Sequence, residues 1–176
     1  MSAIQATTNV TPHLFADDGS IPNNPTLPLI LYSGAIDFGS RDPAVVCEEL
    51  FASNGWGMSW RNGIFTYHHY HSNAHEVLAI ARGTVNVHLG GEQGVVTTVK
   101  AGDVILIPAG VGHKNLGASP DLLVIGAYPP GPYCDLCYGR PEERPHVLEN
   151  IEQVEPPATD PVFGSDGPLF VHWLNR

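Results

Sequence analysis

The sequence predicts an all-β fold, an antiparallel sandwich or small barrel. Three observations carry that expectation. From Gly57 to Tyr128 the chain divides into six or seven short strand-like runs at close spacing. One run, TVNVHL, alternates cleanly, with Val85, Val87 and Leu89 on one face and Thr84, Asn86 and His88 on the other. Turn residues separate the runs: Asn62-Gly63, GGEQG from Gly90 to Gly94, and Gly102-Asp103.

Taken in order, residues 1–25 are polar and read as an extended arm. LPLILY, from Leu27 to Tyr32, is a short strand that Pro28 assigns to a sheet edge. Asp42-Pro43 is a helix start, with Asp as N-cap and Pro in the first turn. That helix runs through AVVCEELFA, stops near Asn54-Gly55, and carries Cys47 as a buried small residue. GMSWR and IFTYHHYH flank Asn62-Gly63 as the arms of a hairpin. HEVLAIA, TVNVHL, VVTTV, VILI and DLLVIGAY supply the remaining strands, with HKNL between the last two. After Tyr128 comes a tail with nine of the 16 prolines. PHVLENIEQV is its one helical candidate; the rest is expected to be extended or turn-like, packing on the barrel through residues such as Val162, Leu169 and Trp173. The chain therefore reads as one domain in three parts: an N-terminal arm with edge strand and helix (1–56), a barrel (57–128) and a C-terminal arm (129–176).

Composition narrows the function. Eight basic residues against 18 acidic ones leave a net charge of -10, which argues against nucleic acid, an anionic membrane and a heavily phosphorylated substrate. No basic start followed by an apolar core marks a signal peptide, and no apolar run approaches membrane-spanning length. Three cysteines, an odd number, suit a reducing, cytoplasmic setting better than a disulfide framework. Cys134-Asp-Leu-Cys137 is a lone pair without a partner pair and is read as structural. GGEQG joins two strands and precedes no helix, so it is not a phosphate loop.

The chemistry concentrates in GIFTYHHYHSNAHEVLAIARG, from Gly63 to Gly83. In a strand, His69 and His71 leave the same face, about 6.6 Å apart. Glu76 opens the next run. Two imidazoles and a carboxylate on an otherwise apolar face need compensation, and a divalent metal is the simplest source, since it takes neutral imidazole nitrogen and carboxylate oxygen together.

Gly63-x5-His69-x-His71-x4-Glu76-x6-Gly83 resembles the first motif of the cupin superfamily at every defined position, and Gly102-x5-Pro108-x-Gly110-x2-His113 resembles the second. Asn115 lies two residues after His113, and Gly117 stands where that motif ordinarily has Asn. The layout is similar to the small single-domain YjlB-like cupins. The resemblance implies a double-stranded β-helix, or jelly-roll barrel, with one N-terminal helix and a Pro-rich C-terminal arm. It also implies one divalent transition metal (Fe, Mn, Ni or Zn) held by His69, His71, Glu76 and His113, with coordination positions left open, and a homodimer.

Strand parity then predicts the pocket wall. Phe65 and Tyr67 share the face of His69, Leu78 and Ile80 that of Glu76, and Asn115 that of His113. Phe65, Leu78, Ile80 and Asn115 are the substrate-binding candidates; Tyr67 and His75 are the candidates for proton transfer. His68 has the opposite parity and is not expected to bind the same metal. His13, His88, His146 and His172 are expected on the surface or the arms. The leading expectation is a metal-dependent enzyme performing oxygenase-type oxidation of a small organic molecule. Its rivals are a metal-dependent isomerase or lyase, and a cupin that binds a small ligand without turnover.

Overall fold

The computed structural model describes residues 3–5 and 7–175; Met1, Ser2, Ala6 and Arg176, which belong to the two expected arms, lie outside the described residues. Nine strands among them form two antiparallel sheets. They are β1 (Asn9–His13), β2 (Leu29–Ser33), β3 (Gly57–Asn62), β4 (Glu76–Arg82), β5 (Thr84–Leu89), β6 (Val95–Lys100), β7 (Val104–Ile107), β8 (His113–Ala118) and β9 (Leu123–Tyr128). The larger sheet runs β1-β2-β7-β4-β9-β3 and the smaller β6-β5-β8.

The two-residue period of the strands sorts their side chains into two cores. Leu78 and Ile80 of β4, Ile105 and Ile107 of β7 and Val124 of β9 face inward, where they meet Val85, Val87 and Leu89 of β5. The alternation read in TVNVHL is thus the inner face of the smaller sheet. Val77 and Ala79, Val104 and Leu106, and Ile125 and Ala127 point the other way. They are covered by helix α1 (Pro43–Ser53) and by Val162, Leu169 and Trp173 of the C-terminal arm. Full burial of each large aliphatic contributes about 1.5–3 kcal/mol, so both cores stabilise the fold.

Helix α1 begins as its sequence requires: Asp42 Oδ1 accepts from Ala44 N at 2.9 Å, and Pro43 opens the first turn. It ends at Asn54, with Gly55 at φ +80° just beyond. Helix α2 (His146–Gln153) lies where PHVLENIEQV places it. No helix among the described residues is long and apolar enough to cross a membrane.

Four local expectations change. The edge position belongs to β1, not to the LPLILY strand: Pro28 lies just before β2, whose residues pair with β1 on one side and β7 on the other. The N-terminal arm is correspondingly not all extended coil; it supplies β1 and the buried Asn23 and Asn24. Asn62-Gly63 does not close a hairpin, because β3 pairs with β9 and the chain from Ile64 to Ala74 forms only isolated bridges, at His69 and Tyr70. The tail holds a second α-helix, α3 (Pro168–Trp173), where a turn-like chain is expected. Pro168 opens it, a position proline tolerates because the first N–H groups of a helix lack intrahelical partners anyway.

Candidate metal centre

Three imidazoles and one carboxylate converge at one end of the barrel. Glu76 is the first residue of β4 and His113 the first of β8. His69 is placed by an isolated bridge to His113: His69 N donates to His113 O at 3.3 Å and His113 N to His69 O at 3.0 Å. Directly opposed residues send their side chains to the same side, and the two ring centroids lie 4.0 Å apart. His71, two residues on, returns to that side as parity requires. One ligand nitrogen from each of His69, His71 and His113 falls within 4.8 Å of the others. Glu76 Oε2 lies 3.3 Å from Nε2 of both His71 and His113.

Each imidazole has its outward nitrogen committed to a backbone carbonyl. His69 Nδ1 donates to Tyr67 O at 3.1 Å, His113 Nδ1 to Val111 O at 3.2 Å, and His71 Nδ1 to Asp135 O. A carbonyl only accepts, so Nδ1 carries the hydrogen in all three rings, and in the neutral form each Nε2 presents a lone pair. Burial and the neighbouring His113 push the His69 pKa down to about 3, which keeps that ring neutral.

Those lone pairs face a carboxylate oxygen that has no hydrogen-bond partner of its own: Glu76 is 3% exposed and its Oε2 is unpartnered. Lone pair against lone pair is repulsive unless a cation lies between. Without a metal a proton must serve. Burial opposes a charge on His71, but the Glu76 carboxylate outweighs it and raises the His71 pKa; burial likewise opposes the Glu76 anion, and His71 and His113 outweigh it and lower the Glu76 pKa. The donor set therefore fits a divalent transition metal, which replaces that proton and satisfies the orphaned oxygen.

The other Glu76 oxygen is held. Tyr128 OH donates to Oε1 at 3.0 Å and accepts from Trp60 Nε1 at 3.0 Å. Trp60 reaches Tyr128 because its cross-strand partner is Gly126, where a Cβ would lie 2.1 Å from the indole ring. Motif spacing does not point to this chain of donors. Parity would have found Tyr128, since Val124, Gly126 and Tyr128 alternate on the inner face of β9.

The ligands open into a cavity of about 350 Å³. Phe65, Leu78, Ile64, Trp60 and Tyr128 are prominent in its wall, and among the described residues no Lys or Arg lines it. The C-terminal arm closes one side with Cys134, Asp135 and Leu136. Asp135 also receives Ser72 N at 2.6 Å and Ser72 Oγ, which ties the arm to the segment bearing His71. The CxxC pair thus divides. Cys137 pairs through its backbone with Tyr70, while Cys134 lines the cavity as a free thiol. Burial raises the Cys134 pKa, but hydrogen bonds with His71 and Tyr128 outweigh it, for a net lowering.

Of the expected wall residues, Phe65 and Leu78 line the cavity and four other candidates do not. Ile80 lies one pleat deeper, in the inner core. Asn115 sits beside a strand irregularity, where its Oδ1 accepts from Gly117 N at 2.7 Å; only its backbone serves the wall, donating to Phe65 O at 2.9 Å. Tyr67 is 42% exposed, with its ring stacked on Phe65 outside the cavity. His75 is carried to the far side of the sheet, because it immediately precedes inward-facing Glu76. There it is fully buried, its Nδ1 accepts from Ala109 N at 2.9 Å, and its ring centroid is 4.7 Å from that of Trp173.

Comparison with known proteins agrees with this architecture. The cupin domain family (Cupin_2) matches residues 61–124. Protein YjlB of Bacillus subtilis (strain 168) is 44% identical over 162 residues, spanning 92% of this chain and 95% of its own length. The chain belongs to the YjlB-like group of the cupin superfamily. Solved structures match at greater distance. A double-stranded β-helix protein of Klebsiella pneumoniae is 14% identical, covering 76% of this chain and 80% of its own, with a TM-score of 0.38. An acireductone dioxygenase of Bacillus anthracis with a cadmium ion in its active centre is 18% identical, covering 47% and 56%, with a TM-score of 0.35. At those scores the likeness carries no inference about activity for this cupin.

Proposed function

We propose that this cupin is a metal-dependent enzyme acting on a small organic molecule, with dioxygenase-like oxidation as its reaction class. The observation that carries the reading is the convergence of three Nδ1-anchored imidazoles on the unpartnered Oε2 of buried Glu76. His69, His71, Glu76 and His113 are the residues that would hold one divalent ion of the Fe, Mn, Ni or Zn type. When bound, such an ion supplies Lewis acidity and, if redox-active, electron transfer with oxygen.

The chain's own residues do the rest. Trp60, Phe65 and Leu78 present an apolar and aromatic wall suited to an organic body rather than a phosphorylated one, since among the described residues no Lys or Arg lines the cavity. Tyr128 orients Glu76 and, at the cavity wall, is the hydroxyl best placed to exchange a proton with a bound substrate. Cys134 and Leu136 reduce water access from the side of the arm. The reading extends to a cytoplasmic setting, in keeping with three free cysteines, and to a homodimer built through sheet edges; a monomer mass by light scattering at micromolar concentration would remove the dimer.

Elemental analysis of tag-free, chelator-free protein beside a His69→Ala, His71→Ala variant tests the function. About one Fe per chain, absent from the variant, followed by oxygen uptake with enolic or phenolic substrates, is the expected result. Turnover with Zn or Mn in the absence of oxygen would move the assignment to an isomerase or lyase. Metal no higher than in the variant would end the enzyme reading as stated.

A further inference from the structure

The residue beside His69 opens onto a second group of ligand atoms. Where His69 turns into the barrel, His68 turns out of it and meets His88 of β5 and Glu92 of the β5–β6 turn. His68 Nε2 lies 2.8 Å from Glu92 Oε1, and the His68 and His88 rings lie edge to face with centroids 4.9 Å apart. One ligand atom from each of the three residues falls within 4.8 Å of the other two. The His68 side chain is only 13% exposed, yet its Nδ1 has no hydrogen-bond partner. A buried polar atom ordinarily has a hydrogen-bond partner, so this nitrogen calls for an explanation.

We propose that His68, His88 and Glu92 form a second divalent-metal site, outside the barrel and independent of the first. Two imidazoles and one carboxylate are a donor set for Zn(II) and neighbouring borderline ions, with a fourth, tetrahedral position left to water on the exposed side of Glu92. A ring rotation of His68 suffices to aim either nitrogen, and Glu92, 72% exposed, is free to adjust. The competitor is Lys114, whose Nζ lies 3.7 Å from the same Glu92 oxygen. Exposed ion pairs of this kind hold their partners weakly, so a divalent ion displaces it readily. Occupancy would clamp the Gly90–Gly94 turn to the segment carrying His69 and His71.

The test is calorimetric titration of the chelator-treated full chain with zinc chloride, in the parent, Glu92→Gln, His88→Asn and Glu76→Gln. Glu92 and His88 lie outside the barrel core, and the near-isosteric changes remove donors without altering the fold. Two Zn(II) per chain are expected in the parent. Glu92→Gln and His88→Asn should each lose one event and keep the other at the parent affinity, and Glu76→Gln should lose the complementary event. One event in the parent that only Glu76→Gln removes would overturn the outer site and leave the barrel site standing. One event that only Glu92→Gln and His88→Asn remove would do the reverse. Two events unchanged in both Glu92→Gln and His88→Asn would also overturn the outer site.

Discussion

Two buried carboxylates, Asp160 and Glu76, show how the same chemical group serves opposite ends. Asp160, with no exposed surface, is saturated from within the chain. Its Oδ1 accepts from Val162 N at 2.8 Å and Phe163 N at 2.9 Å, and its Oδ2 from Tyr32 OH at 2.8 Å and Leu169 N at 3.1 Å. It is the knot that ties the C-terminal arm to β2. Glu76 is as deeply buried but has a single conventional donor, Tyr128 OH, on one oxygen and none on the other. A carboxylate saturated by its own chain holds a fold together. One left short of donors among lone-pair nitrogens is ready to receive a cation, at the cost of some stability when none is present.

Substituting each carboxylate separates the two roles. Asp160→Ala leaves four buried donors unpaired, and the expected loss is about 3 kcal/mol or more of folding stability in urea or thermal unfolding, with the barrel metal site unaffected in whatever protein remains folded. Glu76→Gln should show the reverse weighting. It removes the charge that a protonated His71 answers in the metal-free protein, so folding stability falls by less than in Asp160→Ala, while metal affinity falls by more than about 100-fold, beyond the loss typical of outer-shell partners. Equal destabilisation by both substitutions would erase the distinction. So would unchanged metal affinity in Glu76→Gln.

A finer change sharpens the comparison. Tyr128→Phe deletes the hydroxyl that holds Glu76 Oε1 and leaves Trp60 Nε1 without its acceptor. Metal affinity is expected to fall by about tenfold, the lower end of the range for groups that orient a ligand, with a smaller effect on folding than Asp160→Ala. Dialysis against a metal buffer with competing chelator reads the affinity directly.

How much of this was visible in the residues follows from what the signals report. Spacing and alternation located the all-β fold, helix α1 with its Asp42 cap, and the grouping of His69, His71 and Glu76, because those depend on local periodicity; His113 was marked only by its resemblance to the second cupin motif. Periodicity failed where the chain leaves the sheet. From Ile64 to Ala74 the backbone forms bridges rather than a strand, so parity carried Phe65 and His71 correctly but put Tyr67 on a wall it does not reach. Partners distant in sequence gave no local sign at all. Asp135 supports His71 and Ser72 from over 60 residues away, and Asp160 reaches Tyr32 across 128. A Pro-rich composition also concealed the helix of the tail, since proline at a helix start is compatible with helix and proline elsewhere is not.

The smallest expected effect on the metal concerns His75, the residue that adjacency to Glu76 makes most tempting as a proton carrier. One step along β4 reverses the face, so His75 lies under Trp173 and accepts from Ala109 N, with the sheet between it and the cavity. His75→Gln should leave metal stoichiometry and affinity unchanged within about twofold, because it touches neither Glu76 Oε2 nor the wall. It should still lower the melting temperature. An imperfectly replaced buried hydrogen bond costs about 1–3 kcal/mol, which corresponds to a shift of a few degrees or more for a chain of this size. The pairing of those two readouts makes the test decisive. A variant that keeps its melting temperature but loses turnover in the iron-loaded protein would place His75 in the reaction despite its position. A variant that loses stability and keeps its metal assigns it to the same structural class as Asp160.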